Sequence, residues 1–255
     1  MTTPIIEQIH AHPSVRRYKP DPVPVETVET VVAAGQRAST SSNLQTYSVV
    51  AVLDEAKRER LAELCGGQRQ IRQAPVFMAW CADLHRLDRV CHMRGYEQVT
   101  SYLESFLVAT VDAALAMQNA ALAAESLGLG MCYIGAIRNR PQDVIELLEL
   151  PQLVFPISGM TLGWPAAEPF IRPRLPLEAI LHWERYDPAG EAEALQAYDQ
   201  AMIETGIYRG RQVPVRGAQG EMEDYGWLEH TARRASQAVR TQLREILEQQ
   251  GFGLQ

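Results

Sequence analysis

The residues with the most chemistry at close spacing are His12-Pro13-Ser14-Val15-Arg16-Arg17-Tyr18. This stretch packs an imidazole, a hydroxyl and two guanidinium groups behind a short apolar segment. Arginine forks and hydroxyl donors match the oxygens of a phosphate. Alone, such a run reads first as a basic turn in water. Later segments offer matching pieces. Ser39-Thr40-Ser41-Ser42-Asn43-Leu44-Gln45 is a loop of hydroxyls and amides, and Gln68-Arg69-Gln70 follows a pair of glycines. Tyr133-Ile134-Gly135-Ala136 closes an apolar run, and Arg172-Pro173-Arg174 holds two arginines apart on extended chain. Farther on, Arg209, Arg211 and Arg216 share a glycine-containing basic segment.

What is missing narrows the chemistry. There is no GxGxxG, no GxxxxGK[ST] and no GxSxG. Gly128-Leu129-Gly130 runs into Met131 rather than a helix start. The six histidines are scattered, and Cys65, Cys81, Cys91 and Cys132 form neither a CxxC pair nor a zinc spacing. No catalytic metal, nucleophile or acid–base carboxylate pair stands out. Dispersed phosphate and amide binders without a reactive side chain suit a cofactor that brings its own reactivity.

The elements that must position these residues follow from pattern. The chain has 255 residues, 46% hydrophobic and 22% charged, enough for a sizeable core. A net charge of −7 argues against nucleic acid as partner. No signal peptide and no membrane-spanning apolar run is apparent, so a reduced cytoplasmic protein is expected. Helices are expected over 4–11, 25–38, 54–64, 141–148 and 191–203, and strands over 46–53, 75–81, 131–137 and 153–162. The stretch 83–93 reads as helix and loop. The segment 96–127, rich in alanine and leucine, reads as a long helix buried on several sides. The basic stretch 208–217 reads as a loop and 224–250 as one polar helix.

In order along nearly the whole chain, His12-x-Ser14-x-Arg16, Gly66-Gly67-Gln68, Val111-Asp112…Gln118-Asn119-Ala120, Ala124 to Gly130, Tyr133-Ile134-Gly135, Leu162-Gly163-Trp164-Pro165 and Arg172-Pro173-Arg174-Leu175-Pro176 resemble the oxygen-insensitive NADPH nitroreductase / flavin reductase P family. The resemblance implies an α+β nitroreductase fold: a central mixed β-sheet surrounded by helices, in an intertwined homodimer with two interfacial FMN sites. It implies one domain, with an FMN-binding core of about 1–187 and a C-terminal excursion of about 188–255. By the same resemblance, His12, Ser14, Arg172 and Arg174 approach the FMN phosphate. Arg16, Gln68 and Gln70 lie nearer the ribityl chain or ring edge. Ser39 to Ser41 form one wall, and backbone N–H groups of Ile134, Gly135 and Ala136 face the flavin ring. Pro13, Val15, Thr40, Ser41, Gln45, Arg69 and Tyr133 complete the expected cofactor shell. Pro13, Ala136 and Arg172 depart from the family pattern, which often has arginine, a second glycine and lysine there.

The implied activity is a ping-pong cycle in which NADPH reduces FMN and a nitroaromatic, quinone or flavin reoxidises it. Arg209, Arg211 and Arg216 are the expected binders of the extra NADPH phosphate, and Glu104 is a candidate on the acceptor side. A flavoenzyme with one dedicated substrate, such as a reductive dehalogenase, and a non-catalytic flavin-binding redox sensor are the alternatives.

Overall fold

The computed structural model describes residues 2–215 and 220–255. The chain forms two compact units, one of residues 1–170 with 240–255 and one of 171–239. The first opens with α1 (Pro4–His10) and α2 (Val25–Gly35). It continues with β1 (Tyr47–Val52), α3 (Glu55–Leu64), α4 (Arg69–Gln73), β2 (Val76–Asp83), α5 (His85–Met93) and α6 (Leu103–Ser126). Then come β3 (Gly130–Ile134), a 3-10 turn Gly135–Arg138, α7 (Pro141–Leu147) and β4 (Val154–Gly163). The second unit holds α8 (Glu191–Glu204), β5 (Gln212–Pro214), β6 (Met222–Asp224) and α9 (Trp227–Ala235); α10 (Leu243–Gln249) belongs to the first.

The sheet runs β1-β2-β4-β3. Every pairing among the described residues of the single chain is antiparallel. β2 is buried along its whole length because both faces are covered. Val76, Met78, Trp80 and Ala82 share a core with α2 and α6, whereas Phe77, Ala79 and Cys81 pack with Leu61 and Leu64 of α3, Ile71 of α4 and Val144 of α7.

Local signals set several boundaries. The Asp54 carboxylate accepts the Lys57 N–H at 2.7 Å and caps α3. Gly66 and Gly67 end α3 with φ of 83° and 75°. Pro141 starts α7 at the position that needs no N–H. α2 stops at Gly35, short of the expected Ala38.

Other expectations are corrected by contacts distant in sequence. α6 begins at Leu103, not near Tyr96, because the C-terminal residues use the preceding backbone. Gly253 N donates to Thr100 O at 2.7 Å and Gln255 N to Ser101 O at 3.1 Å. α6 is buried on its alanine face, while Leu103, Leu107, Val111 and Leu115 are exposed. By length and composition it is apolar enough to cross a membrane, contrary to the expectation that no run would be. In the fold it is the core helix against α2 and β2. The strand expected to reach Ile137 stops at Ile134 and coils into the 3-10 turn.

The expected polar helix 224–250 is two helices. Between them Arg240 has φ 55°, its Nε donates to Asn139 Oδ1 at 3.0 Å, and Gln242 Nε2 donates to Asn139 O at 3.0 Å. The expected loop 208–217 contains β5, which pairs with β6 as Gln212↔Asp224, Val213↔Glu223 and Pro214↔Met222. Main-chain pairing of this kind leaves no local signal in a basic, glycine-containing stretch.

Cys65, Cys81 and Cys132 are buried and Cys91 is partly exposed. Burial pushes the Cys65 thiol up to about 12 and raises Cys81 as well. Thiolate is the reactive form. Maleimide labelling of the native protein at neutral pH is therefore expected at Cys91 only. Labelling of Cys65 or Cys81 before unfolding would contradict their placement.

Candidate functional site

The His12–Tyr18 segment is held in an alternating conformation. Val15 N donates to Met131 O at 2.8 Å, so the segment lies along β3. Tyr18 OH donates to Val15 O at 2.7 Å and lies 2.7 Å from Thr161 Oγ1. Lys19 N donates to Trp164 O at 2.8 Å and Ala166 N to Arg17 O at 3.0 Å. Val15 and Tyr18 are thereby buried, and Ser14, Arg16 and Arg17 are turned out. The Val15 N–H, carbonyl and side chain are all used by the fold, so it acts as an anchor. Ser14, Arg16 and Arg17 line a cavity of about 190 Å³ closed by residues 167–170, among which Glu168 adds one carboxylate. Two guanidinium groups and a hydroxyl around a volume of that size suit a phosphate.

His12 stands at the end of α1, and its Nδ1 is 2.5 Å from Glu125 Oε1 in the last turn of α6. Pro13 lines a neighbouring cavity of about 250 Å³ together with Glu125.

The loop before β1 is fixed by a buried carboxylate. Asp112, 1% exposed, accepts Ser41 N at 2.9 Å, Thr46 N at 3.1 Å and Thr46 Oγ1 at 2.8 Å. From the other side Arg86 of α5 donates to Gln45 O at 3.0 Å, Tyr47 O at 3.3 Å and Ser48 Oγ at 2.8 Å. Between these clamps Ser42, Asn43 and Gln45 adopt φ of 47°, 57° and 54°. Side chains other than glycine resist that region at about 1–2 kcal/mol each. Ser39, Thr40 and Ser41 line a cavity of about 400 Å³ with Glu104 and the apolar face of α6.

Gln68 donates to Cys65 O at 3.2 Å, Gln70 donates to Gln68 Oε1, and Arg69 is exposed at the start of α4. Tyr133 OH donates to Gln118 Oε1 at 2.9 Å and Met117 O at 3.3 Å. Burial and the nearby Glu125 carboxylate raise its phenol above the usual range, so it remains a neutral tether to α6. Ile134 is buried; Gly135 and Ala136 are half-buried and open the 3-10 turn. The first N–H groups of such a turn find no partner within it. At Gly135 an added Cβ would meet only Arg138 Nη2, at 3.5 Å. The protein itself leaves room there, and that room suits a flat ring set close to the backbone.

α6 links these groups and also separates them. Asp112 and Glu125 are thirteen positions apart, about 20 Å on a helix. Within one chain the Ser39–Gln45 loop therefore lies at the other end of α6 from His12. Sequence reasoning gave no role to Asp112, Glu125 or Arg86. The available signal was an acid inside an alanine-rich apolar helix.

In the second unit Arg172 and Arg174 are exposed on extended chain, with Arg174 Nη1 donating to Arg172 O at 3.2 Å and Tyr198 OH to Pro173 O at 3.2 Å. Arg209 and Arg211 line a cavity of about 330 Å³ with Tyr208 and Tyr225, and with the carboxylates Glu204 and Asp224. The Arg211 and Arg233 guanidinium groups lie 5.9 and 5.8 Å from the Tyr225 ring centre. Arg216 lies outside the described residues. Among the described residues no group of His, Cys, Asp and Glu is placed to hold a metal.

The fold and these segments define an oxidoreductase class: the chain belongs to the nitroreductase family, whose model matches residues 9–164, with the family's C-terminal domain matching 172–255. It is 39% identical to the FMN reductase [NAD(P)H] of Bacillus subtilis over 251 residues, covering 97% of both chains. It is 38% identical to the oxygen-insensitive NADPH nitroreductase of Salmonella typhimurium, covering 98% of both. The structure of NfrA2 from B. megaterium superimposes with a TM-score of 0.91 at 36% identity, covering 100% of both chains.

Proposed function

We propose that this oxidoreductase is a cytoplasmic FMN enzyme that oxidises NADPH and reduces nitroaromatics, quinones or flavins. The observation that carries the reading is the cationic Ser14–Arg17 cavity on the segment pinned against β3. Relatives named FMN reductase and NADPH nitroreductase support it over the full length of the chain. When bound, FMN would supply two-electron hydride chemistry between NADPH and the acceptor, in ping-pong order. The chain supplies position and charge. His12 and Ser14 hold the phosphate end. Arg16, Gln68 and Gln70 address the ribityl chain or ring edge, and Arg69 completes the shell. The turn at Gly135 and Ala136 gives backbone N–H groups to the ring. Cationic donors near the ring edge favour the negative charge gained on reduction.

The protein acts as a homodimer in this reading. The exposed Leu103, Leu107, Val111 and Leu115 stripe supports a second copy there. So does the about 20 Å along α6 from the Asp112-held loop to His12, since a second copy can bring Thr40, Ser41 and Gln45 to the flavin.

The test is a visible spectrum of the purified protein before and after anaerobic NADPH. A flavin spectrum that bleaches is the expected result. A colourless protein that takes up no added FMN overturns the cofactor. Bound flavin that NADPH cannot bleach overturns the reductase. Arg209, Arg211 and Arg216 bind the extra phosphate of NADPH. Arg209→Ala with Arg216→Ala is expected to cut the kcat/KM preference for NADPH over NADH about 10-fold, the value of one charge-assisted hydrogen bond. An unchanged preference removes that assignment.

A further inference from the structure

The His12–Glu125 pair joins residues 113 positions apart and has a feature that helix capping does not explain. The Glu125 side chain is 10% exposed and the His12 side chain 22%. Glu125 Oε1 faces His12 Nδ1 at 2.5 Å, whereas Glu125 Oε2 is buried without a hydrogen-bond partner among the described residues. A buried carboxylate with one oxygen unpaired works against folding. Groups of this kind gather where function outweighs stability.

The geometry dictates what the carboxylate does to the ring. A carboxylate only accepts, so Nδ1 must carry a proton. The ring plane is then fixed at that nitrogen, and Nε2 donates to an anion when it carries a proton as well. Nε2 has no protein partner among the described residues, and the ring's partial exposure leaves it open to a ligand. Pro13 follows directly and limits the backbone freedom of His12. Ser14, Arg16 and Arg17, two to five residues on, line the anion-sized cavity.

We propose that Glu125 is a positioning residue for His12: it holds Nδ1 so that Nε2 faces the flavin phosphate. This rests on the FMN reading above. The orienting part of the logic is shared with a metal-binding histidine whose second nitrogen is held by a carboxylate, where losing the outer partner costs 10- to 100-fold in affinity. A metal takes the nitrogen's lone pair, whereas a phosphate accepts a hydrogen bond from its proton. Without Glu125 the imidazole is free to rotate and Nε2 loses its fixed aim; Nε2 donates to an anion only from the doubly protonated ring, in which both nitrogens carry protons.

The test compares FMN with riboflavin, which differ only in the phosphate, by quenching of flavin fluorescence on the full-length protein stripped of flavin. Glu125→Met keeps the volume and removes the acceptor. It is expected to weaken FMN about 10-fold, at the lower end of that range, and to leave riboflavin unchanged. Glu125→Gln keeps an oxygen for the Nδ1 proton and is expected to recover most of the FMN affinity. In a His12→Asn background, Glu125→Met is expected to have no further effect. Should Glu125→Met not fold, Glu125→Ala carries the same expectations. Equal weakening of FMN and riboflavin overturns the proposal, because a general structural role moves both. So does unchanged FMN binding, or a full additional loss in the His12→Asn background. Wild-type protein that binds neither flavin overturns the FMN reading itself.

Discussion

Asp112→Ala is expected to lower the melting temperature by about 10 °C and to open the Ser39–Gln45 loop to proteolysis. Among the described residues, Asp112 is the only side chain that holds both ends of that loop, through Ser41 N and through the Thr46 N–H and hydroxyl. Thr46 is itself 1% exposed, so its N–H and hydroxyl cannot turn to water when the carboxylate goes. Each buried donor left unpaired costs about 1–3 kcal/mol. Relief of the carboxylate's own desolvation offsets part of this, leaving roughly 3 kcal/mol. For a chain of this size that is on the order of 10 °C. The left-handed Ser42, Asn43 and Gln45 conformations then lose one of their two clamps. Asp112→Asn separates the terms: one oxygen can still accept from Thr46 while the amide faces the Ser41 N–H, so about a third of the effect is expected. A melting temperature for Asp112→Ala within a degree or two of wild type would refute the clamp.

The second large effect is at Gly159. This residue sits in β4 between Ala79 of β2 and Ile134 of β3. An added Cβ would overlap the Phe77 ring, with Cε2 at 2.8 Å, and would crowd Ile134 Cβ at 3.1 Å. Phe77 is fully buried and has nowhere to move without displacing Leu61 or Ile71. Gly159→Ala is expected to cost about 3 kcal/mol, the upper range for overpacking, and Gly159→Val more. Ile134 leads directly into the Gly135 turn, so the proposed FMN binding is expected to fall alongside stability. Phe77→Leu, which shortens the ring, is expected to recover stability in the Gly159→Ala background though it is destabilising alone. Urea denaturation of the four proteins measures this, and strictly additive losses would rule out the steric account.

Much of this protein was legible in the chain itself. Asp54, Gly66-Gly67 and Pro141 set helix ends because capping is a matter of two to four neighbouring residues. β1, β2 and β4 were found within about two residues, since buried strands need continuous β-branched and apolar side chains. Ser14 and Arg16 stand out as candidate donors because their side-chain chemistry is local. The family was visible in the ordered motifs from His12 to Pro176.

Tertiary structure alone decided the rest. The outward face of Ser14, Arg16 and Arg17 depends on Val15 pairing with Met131, more than a hundred residues away. The 40s loop owes its shape to Asp112, and the His12 ring owes its orientation to Glu125. α6 starts at Leu103 because the last residues of the chain pair with 100–103, and the helix expected over 224–250 breaks where Arg240 and Gln242 bond Asn139. The physical reason is the same in each case. Periodicity and capping report on a residue's neighbours in sequence, whereas a buried carboxylate or a main-chain ladder takes its partner from a distant segment that only folding brings near.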